Sequence, residues 1–293
     1  MKKALIQLHI AIFLAGFTAI LGKLISLNAI SLVWWRLLIT VFVLFFFFRI
    51  TLKKINYDRV LIAKVVGVGA LVGLHWLSFF GSVKFANVSI ALVCFSSSGF
   101  FSALIEPIII KRRISLFELL LGIISMGGIY IIFHFDTRYK VGIGLGVISA
   151  ALSALFSIFN KILVRKMEGL HMTAYEMAGA LAVVSLIIPF SLGSGNAFWP
   201  ENIDWLYLAV LSVLCTVWAF FLQLKALQHI SAFTLNLSYN LEPVYGIALA
   251  FLIFKENKHL NGSFYIGLAL IIIALSAQMY VVRKKRIQST SIA

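Results

Sequence analysis

The sequence predicts an all-α integral membrane protein with ten transmembrane helices, arranged as two inverted five-helix repeats. Three observations support this fold class. Hydrophobic residues make up 62% of the chain and charged residues only 12%, apolar segments of spanning length recur from end to end, and the two halves share a partial self-similarity. Because a soluble domain usually carries about 25% charged residues, water is not the main solvent of this chain.

The apolar segments leave no room for a separate soluble domain. A spanning helix needs about 20 mostly apolar residues, and polar or charged breaks separate ten segments of roughly that length. We predict spans at residues 4–22, 29–48, 60–82, 87–109, 115–134, 141–163, 171–192, 203–225, 232–254 and 262–282. Both cysteines, Cys94 and Cys215, fall inside spans, so we expect buried thiols and no disulfide.

The basic residues predict the orientation of the spans. With ten spans, 17 of the 25 Lys and Arg residues fall on the face that holds both termini and 6 on the opposite face, while two lie within spans. By the positive-inside rule both termini are cytoplasmic, in the cytoplasmic (inner) membrane of the cell. The net charge of +15 does not indicate nucleic-acid binding, because the charges lie between apolar segments and not on one basic arm.

A shift of 142 residues aligns similar side chains of the two halves. The pairs are Trp76 with Trp218, Phe79 with Phe221, Ser89 with Ser231, and Ser96 with Ser238. A unit of five spans ends on the opposite face, so its copy enters the bilayer upside down. We predict a first repeat at 1–135, a second at 140–285 and a cytoplasmic tail at 286–293. Inverted repeats provide two pseudo-equivalent arrangements, which is the physical basis of alternating access.

Glu242 is the clearest candidate functional residue. It lies near the middle of the ninth span, where Pro243 removes a backbone donor and frees a carbonyl one turn earlier. A charge at that depth costs roughly 2.5–3.5 kcal/mol, so it needs a partner or a water-filled cavity. Glu242 could bind a cation, an ammonium group or a proton, or form a structural pair with Arg36, or be a neutral buried acid. Tyr239 and Asn240 adjoin it in the predicted site.

The third and fourth spans contribute polar side chains to the same predicted cavity. His75 and Phe79 share one partly polar face of the third span, and Trp76 lies on the adjoining face. His75 could contact substrate, relay a proton or simply pack. Ser97 and Ser98 could line the cavity or bond back to their own helix. The predicted substrate cavity therefore consists of His75, Trp76, Phe79, Ser97, Ser98, Trp218, Tyr239, Asn240 and Glu242.

Three further charged residues are predicted to gate the pathway or to form ion pairs. Arg36 lies about 10 Å into the second span from the outer face. It could snorkel beside the two tryptophans that precede it, or bind a substrate carboxylate. Glu106 and Glu176 lie near cytoplasmic ends of the fourth and seventh spans, which favours gating, ion pairing or packing over substrate contact.

Sequence motifs of ATPases and hydrolases are absent. The sequence contains no G-x-x-x-x-G-K-[ST] phosphate loop, no H-E-x-x-H and no G-x-S-x-G. We therefore expect neither an enzyme nor a bound cofactor or metal.

Several features together resemble the EamA branch of the drug/metabolite transporter superfamily. They are ten short helices in 293 residues, an arginine at position 36, the related segments 76–89 and 218–231, and the pairs Glu106-Pro107 and Glu242-Pro243. The resemblance implies a helical basket around a central cavity and transport of small metabolites, often amino acids outward. One departure is Phe101, which stands where the second half has Pro243 under the shift of 142, so the first half is expected to bend differently.

The sequence thus predicts a secondary transporter that exports small metabolites or amino acids by alternating access. Its expected partners are a small-molecule substrate and the lipid bilayer, and not nucleic acid. Coupling to protons through Glu242 and His75, exchange and uniport all fit the sequence. The alternative is a non-transporting membrane receptor or scaffold, which the polar residues within spans disfavour.

Overall fold

The computed structural model describes residues 2–51, 57–111, 113–135, 137–192, 197–219, 221–222, 239 and 241–290, and this part of the chain is helical without any strand. The helices are α1 (Lys2–Leu24), α2 (Ala29–Thr51), α3 (Arg59–Phe85), α4 (Val88–Phe95), α5 (Ser98–Ile110), α6 (Leu116–Phe135), α7 (Lys140–Leu163), α8 (Gly169–Leu192), α9 (Asn202–Ala209, continued by a π-helix over Val210–Trp218), α10 (Glu242–Phe254) and α11 (Gly262–Thr290). Short 3₁₀ turns occupy Thr137–Tyr139 and Glu256–Lys258.

These helices lie at the ten predicted spans, which confirms the predicted fold class. By length and composition, six segments of the described chain are long and apolar enough to cross a membrane: Ile6–Leu24, Ala29–Phe47, Arg59–Phe85, Val88–Ile110, Lys140–Leu163 and Gly169–Phe190. Four shorter apolar helices occupy the fifth, eighth, ninth and tenth spans, at Leu116–Ile132, Asn202–Trp218, Glu242–Phe254 and Gly262–Ala274.

The fourth span consists of two helices where the sequence predicted one. Between α4 and α5, the Ser96 hydroxyl donates to the Leu92 carbonyl at 3.0 Å and the Ser97 hydroxyl donates to the Cys94 carbonyl at 2.6 Å. Serine side chains that bond back in this way compete with the backbone ladder and often bend helices. The first half is therefore interrupted by serines, whereas α10 in the second half begins at Glu242 with Pro243 in its first turn.

Helices of the two halves pack against each other through glycines. In α3, a Cβ atom at Gly69 would overlap the Glu176 carbonyl of α8, and one at Gly73 would lie 3.1 Å from the Ala180 carbonyl oxygen. Gly179 of α8 faces the α3 backbone in return. The Gly69-x-x-x-Gly73 spacing thus serves close helix packing.

Helices of the first half contact helices of the second half at the centre of the bundle. α1 packs against α10 and the π-helix, α2 packs against α8 and the π-helix, and α3 packs against α7 and α8. The last helices of the two halves, α6 and α11, also meet, because Gly128 and Gly267 each face the other's carbonyl oxygen. Side chains from both halves therefore converge on a central space.

Substitution of Gly69 tests the close approach of α3 and α8. We expect Gly69→Ala to destabilise the protein by about 1–3 kcal/mol, the usual cost of forcing extra volume into a packed core. Gly67 in the same helix has no atom within 4 Å of its Cβ position, so Gly67→Ala should be neutral or slightly stabilising. Thermal unfolding of the purified variants in detergent measures both effects, and equal melting temperatures would contradict this packing.

Candidate functional site

A cavity lies between the two halves, with about 120 Å³ available to the centres of water-sized molecules. Helices α1 to α4 supply seven of its lining side chains, and the π-helix and α10 supply the other two. The lining residues are Ala15, Thr18, Arg36, His75, Trp76, Phe79, Phe95, Cys215 and Glu242. The wall is therefore largely apolar, with a few polar groups that converge on one space, as in most small-molecule sites.

Arg36 is a charged group held firmly in the cavity wall. Its side chain is 3% exposed, and its Nε and Nη2 atoms donate to the Thr216 hydroxyl at 3.2 and 3.0 Å. The guanidinium carbon lies 3.7 Å from the centre of the Trp76 ring, a cation–π contact. Among the described residues, Nη1 has no hydrogen-bond partner. Nη1 is therefore a buried donor without a partner in this part of the chain, an arrangement that favours an anionic ligand.

Glu242 is the acidic group of the cavity and comes from the other half of the chain. It stands in the first turn of α10, where the helix dipole favours a negative charge. Within the described part of the chain, its carboxyl group accepts no hydrogen bond and forms no salt bridge with Arg36, although the two groups interact electrostatically. The cavity thus contains two opposite charges that are close without being paired.

His75 lies in the aromatic part of the cavity wall. Its Nδ1 atom lies 2.9 Å from both the carbonyl oxygen and the hydroxyl of Ser149 in α7. Because a carbonyl can only accept, the tautomer with a proton on Nδ1 satisfies this contact and leaves Nε2 as an acceptor. The imidazole ring is flanked by Phe79, Phe95 and Phe156, with centroid distances of 6.2, 5.5 and 5.4 Å.

The structure places only some of the predicted cavity residues in the cavity wall. Of the nine predicted cavity residues, four line the cavity: His75, Trp76, Phe79 and Glu242. Arg36, predicted as a gating or ion-pair residue, joins them. The sequence placed these five side chains on three different spans, and packing of both halves brings them to one space.

Four predicted cavity residues are not among those that line the cavity. The Ser97 hydroxyl is used within the helix break, and Ser98 begins α5. Tyr239 packs on an apolar cluster with α1. Trp218, the last residue of the π-helix, is 43% exposed. Asn240 lies outside the described residues.

The other two predicted gating residues do not line the cavity. Glu106 of α5 forms an ion pair with Lys161 of α7, with 2.5 Å between Oε1 and Nζ. Glu176 is 5% exposed at the contact of α8 with α3, and its Oε1 atom has no hydrogen-bond partner among the described residues. Each therefore contributes to contacts between the halves and not to the cavity itself.

A network at the outer ends of the helices was missed by sequence reasoning. Glu256, 4% exposed, accepts hydrogen bonds from Lys23 Nζ at 2.9 Å, from the backbone of Val88 and Ser89 at 3.1 and 2.9 Å, and from the Ser89 hydroxyl at 2.6 Å. The network ties the last turn of α1 and the start of α4 to the turn between α10 and α11.

A second buried carboxylate extends this network, which we call the outer cap because it lies at the helix ends opposite the two chain termini. Asp204 of α9, 1% exposed, accepts hydrogen bonds from the Ser26 backbone at 2.9 Å and the Ser26 hydroxyl at 2.5 Å. Lys84 Nζ donates to the Ile25 carbonyl. The sequence signal was slight, since these residues appear only as isolated charges at or near the ends of predicted spans.

The outer cap covers the cavity. The cavity residues Thr18, Phe79 and Phe95 lie six or seven residues from the capped ends of α1, α3 and α4, which is roughly 10 Å at the rise of an α-helix. We expect the cap to limit access of solutes from that side to the cavity.

Removal of the Glu256 carboxylate tests this closure. In a Cys94→Ala background, we expect Glu256→Ala to raise severalfold the rate at which a membrane-impermeant thiol reagent, added to intact cells, labels Cys215 in the cavity wall. Lys258→Gln, an exposed position in the same turn, is the matched control and should leave the rate unchanged. An unchanged rate in Glu256→Ala would contradict the role of the cap.

Comparison with known proteins agrees with this architecture. The sequence profile of the EamA-like transporter family matches residues 2–134 and 140–278, five of the ten spans each time. The search of solved structures found 26 matching chains. One of them, a crystal structure, superimposes with a TM-score of 0.62 at 16% sequence identity, over 96% of this chain and 99% of that chain. This similarity shows a shared fold. No match to a curated protein is significant. Because the family profile covers nearly the whole sequence, this multi-pass membrane protein belongs to the EamA-like transporter family.

Proposed function

We propose that this protein is a secondary transporter of the cytoplasmic membrane that exports small metabolites or amino acids by alternating access. The observation that supports this most is the pair of charges in the cavity: Arg36 and Glu242 face one space, come from opposite halves and form no salt bridge with each other. A small zwitterion would pair its carboxylate with Arg36 and its ammonium group with Glu242.

The cost of buried charge explains why such a ligand would be selected. Ionisable groups inside a membrane require a partner or water, and a site that hydrogen-bonds a substrate group rejects analogues that lack the group, because its own buried polar atoms are left unpaired. The aromatic side chains Trp76, Phe79 and Phe95 would contact the apolar part of the substrate.

The inverted repeats supply the mechanism of transport. We assign the repeats to residues 1–135 and 140–285 and a cytoplasmic tail to 286–293. In this proposal the cap closes one end of the cavity, and the pseudo-equivalent arrangement of the two repeats opens that end while closing the other. The proposal needs no ATPase domain.

The distribution of basic residues supports cytoplasmic termini, and reporter fusions test this orientation. A green fluorescent protein fused to the C-terminus should fluoresce and an alkaline phosphatase fused there should be inactive, since each folds in only one compartment. A truncated control fused at Lys258, in the turn after α10, should give the opposite pair of results. An active C-terminal phosphatase would overturn the orientation and place the outer cap in the cytoplasm.

Solute exchange in vesicles tests the transport function. Purified protein in liposomes, loaded with a panel of amino acids, the corresponding amines and the corresponding carboxylic acids, should exchange amino acids best. Hydrogen bonds to charged groups contribute about 1.5–3 kcal/mol, so Arg36→Gln and Glu242→Gln should each reduce amino-acid exchange about 10- to 100-fold.

The control for this experiment is Glu168→Gln, which changes an exposed carboxylate outside the cavity and should leave exchange intact. Exchange of no solute by the wild-type protein would contradict the proposal and leave a receptor or scaffold. A pH gradient separates the energy sources: if Glu242→Gln and the wild type respond to the gradient alike, Glu242 carries no transported proton.

A further inference from the structure

The π-helix of α9 sets the position of Thr216 opposite Arg36. Nine residues, Val210–Trp218, form this helix, whereas π-helices are rare, mostly single turns, and frequent at functional sites. The Thr216 hydroxyl donates to the Leu211 carbonyl, five residues earlier, at 2.8 Å. That bond follows the π-helical spacing and consumes the only proton of the hydroxyl group.

With its proton engaged, the Thr216 oxygen faces Arg36 purely as an acceptor. Arg36 Nε and Nη2 donate to it at 3.2 and 3.0 Å. A second bond fixes the same two helices in register, because the Ser212 hydroxyl donates to the Arg36 backbone carbonyl at 3.2 Å. Both contacts come from one stretch of π-helix, so the guanidinium is oriented by α9 and not by its own helix alone.

These contacts occupy one edge and one face of the guanidinium. Thr216 occupies the edge formed by Nε and Nη2, and the Trp76 ring covers one face at 3.7 Å. The remaining edge, formed by Nη1 and the second proton of Nη2, has no partner at Nη1 among the described residues, although Arg36 is 3% exposed and lines the cavity. Two parallel N–H groups on such an edge can donate to the two oxygen atoms of one carboxylate.

We infer that Thr216 is a positioning residue, which occupies one edge of the Arg36 guanidinium and thereby presents the other edge to the cavity as a carboxylate subsite. The inference rests on the proposed transport function, and it adds a residue that does not itself touch the substrate. Without the Thr216 oxygen, the Nε and Nη2 protons lose their acceptor and the guanidinium is free to turn away from the ligand.

The inference is tested by Thr216→Val, which keeps the shape of the side chain and removes the hydroxyl. The vesicle panel first identifies the amino acid that the wild type exchanges best, and this amino acid is then compared with its decarboxylated amine. We expect Thr216→Val to raise the KM for the amino acid about tenfold with kcat within about twofold, and to leave exchange of the amine unchanged. Thr216→Ser, which restores the acceptor, should restore the KM.

Two controls separate orientation from general damage. Thr173→Val removes a buried hydroxyl that bonds within α8 at 2.9 Å, away from the cavity, and should leave both substrates unaffected. If Thr216→Val does not fold, Thr216→Cys replaces the hydroxyl with a weak sulfur acceptor and should show the same rise in KM.

The outcomes distinguish this inference from the proposed function. If the wild type exchanges no solute, the transport function fails. If the wild type exchanges an amino acid but Thr216→Val changes its KM by less than about twofold, or lowers exchange of the amino acid and the amine equally, Thr216 does not position Arg36 and the inference is overturned while the transport function stands.

Discussion

The structure depends on one constraint: a permanently charged guanidinium lies inside the membrane-spanning bundle, where lipid offers it no hydrogen bond. Arg36 meets this constraint with the Thr216 oxygen on one edge and the Trp76 ring on one face. Both partners come from helices that must be held in place, α3 by its glycine contact with α8 and α9 by its π-helical turn. The packing contacts between the halves therefore also hold in place the side chains that give the cavity its chemistry.

The charges of the cavity and those of the outer cap have different roles because their pairing differs. Glu256 and Asp204 are fully engaged with donors from other helices, so they stabilise a closed arrangement. Glu242 has no such donor among the described residues. A satisfied buried carboxylate contributes to structure, whereas an unsatisfied one beside a cavity is suited to a ligand. This contrast supports the choice of the cavity as the substrate site.

The sequence predicted the features that depend on apolar length and missed those that depend on contacts between distant helices. Ten spans follow from segments that must match the bilayer, and the glycine packing of α3 follows from a local spacing. The π-helix has no such sequence signature, because the residues around Thr216 are equally compatible with an α-helix. From the sequence, the serines of the fourth span could line the cavity or bond back to their own helix. The structure distinguishes the two, because serine hydroxyls at the helix break donate to neighbouring backbone carbonyls. Trp218, predicted from the repeat to lie in the cavity, is not among the residues that line it.

The outer cap has a consequence for the cell that holds this protein. Its two carboxylates accept six hydrogen bonds that join the first half of the chain to the second, and these must be lost together for that end to open. An idle carrier with a water-accessible polar cavity would otherwise be a leak for ions and protons. In the proposed transport cycle, the cap would therefore insulate the membrane and preserve its potential during the intervals when no cargo is being carried.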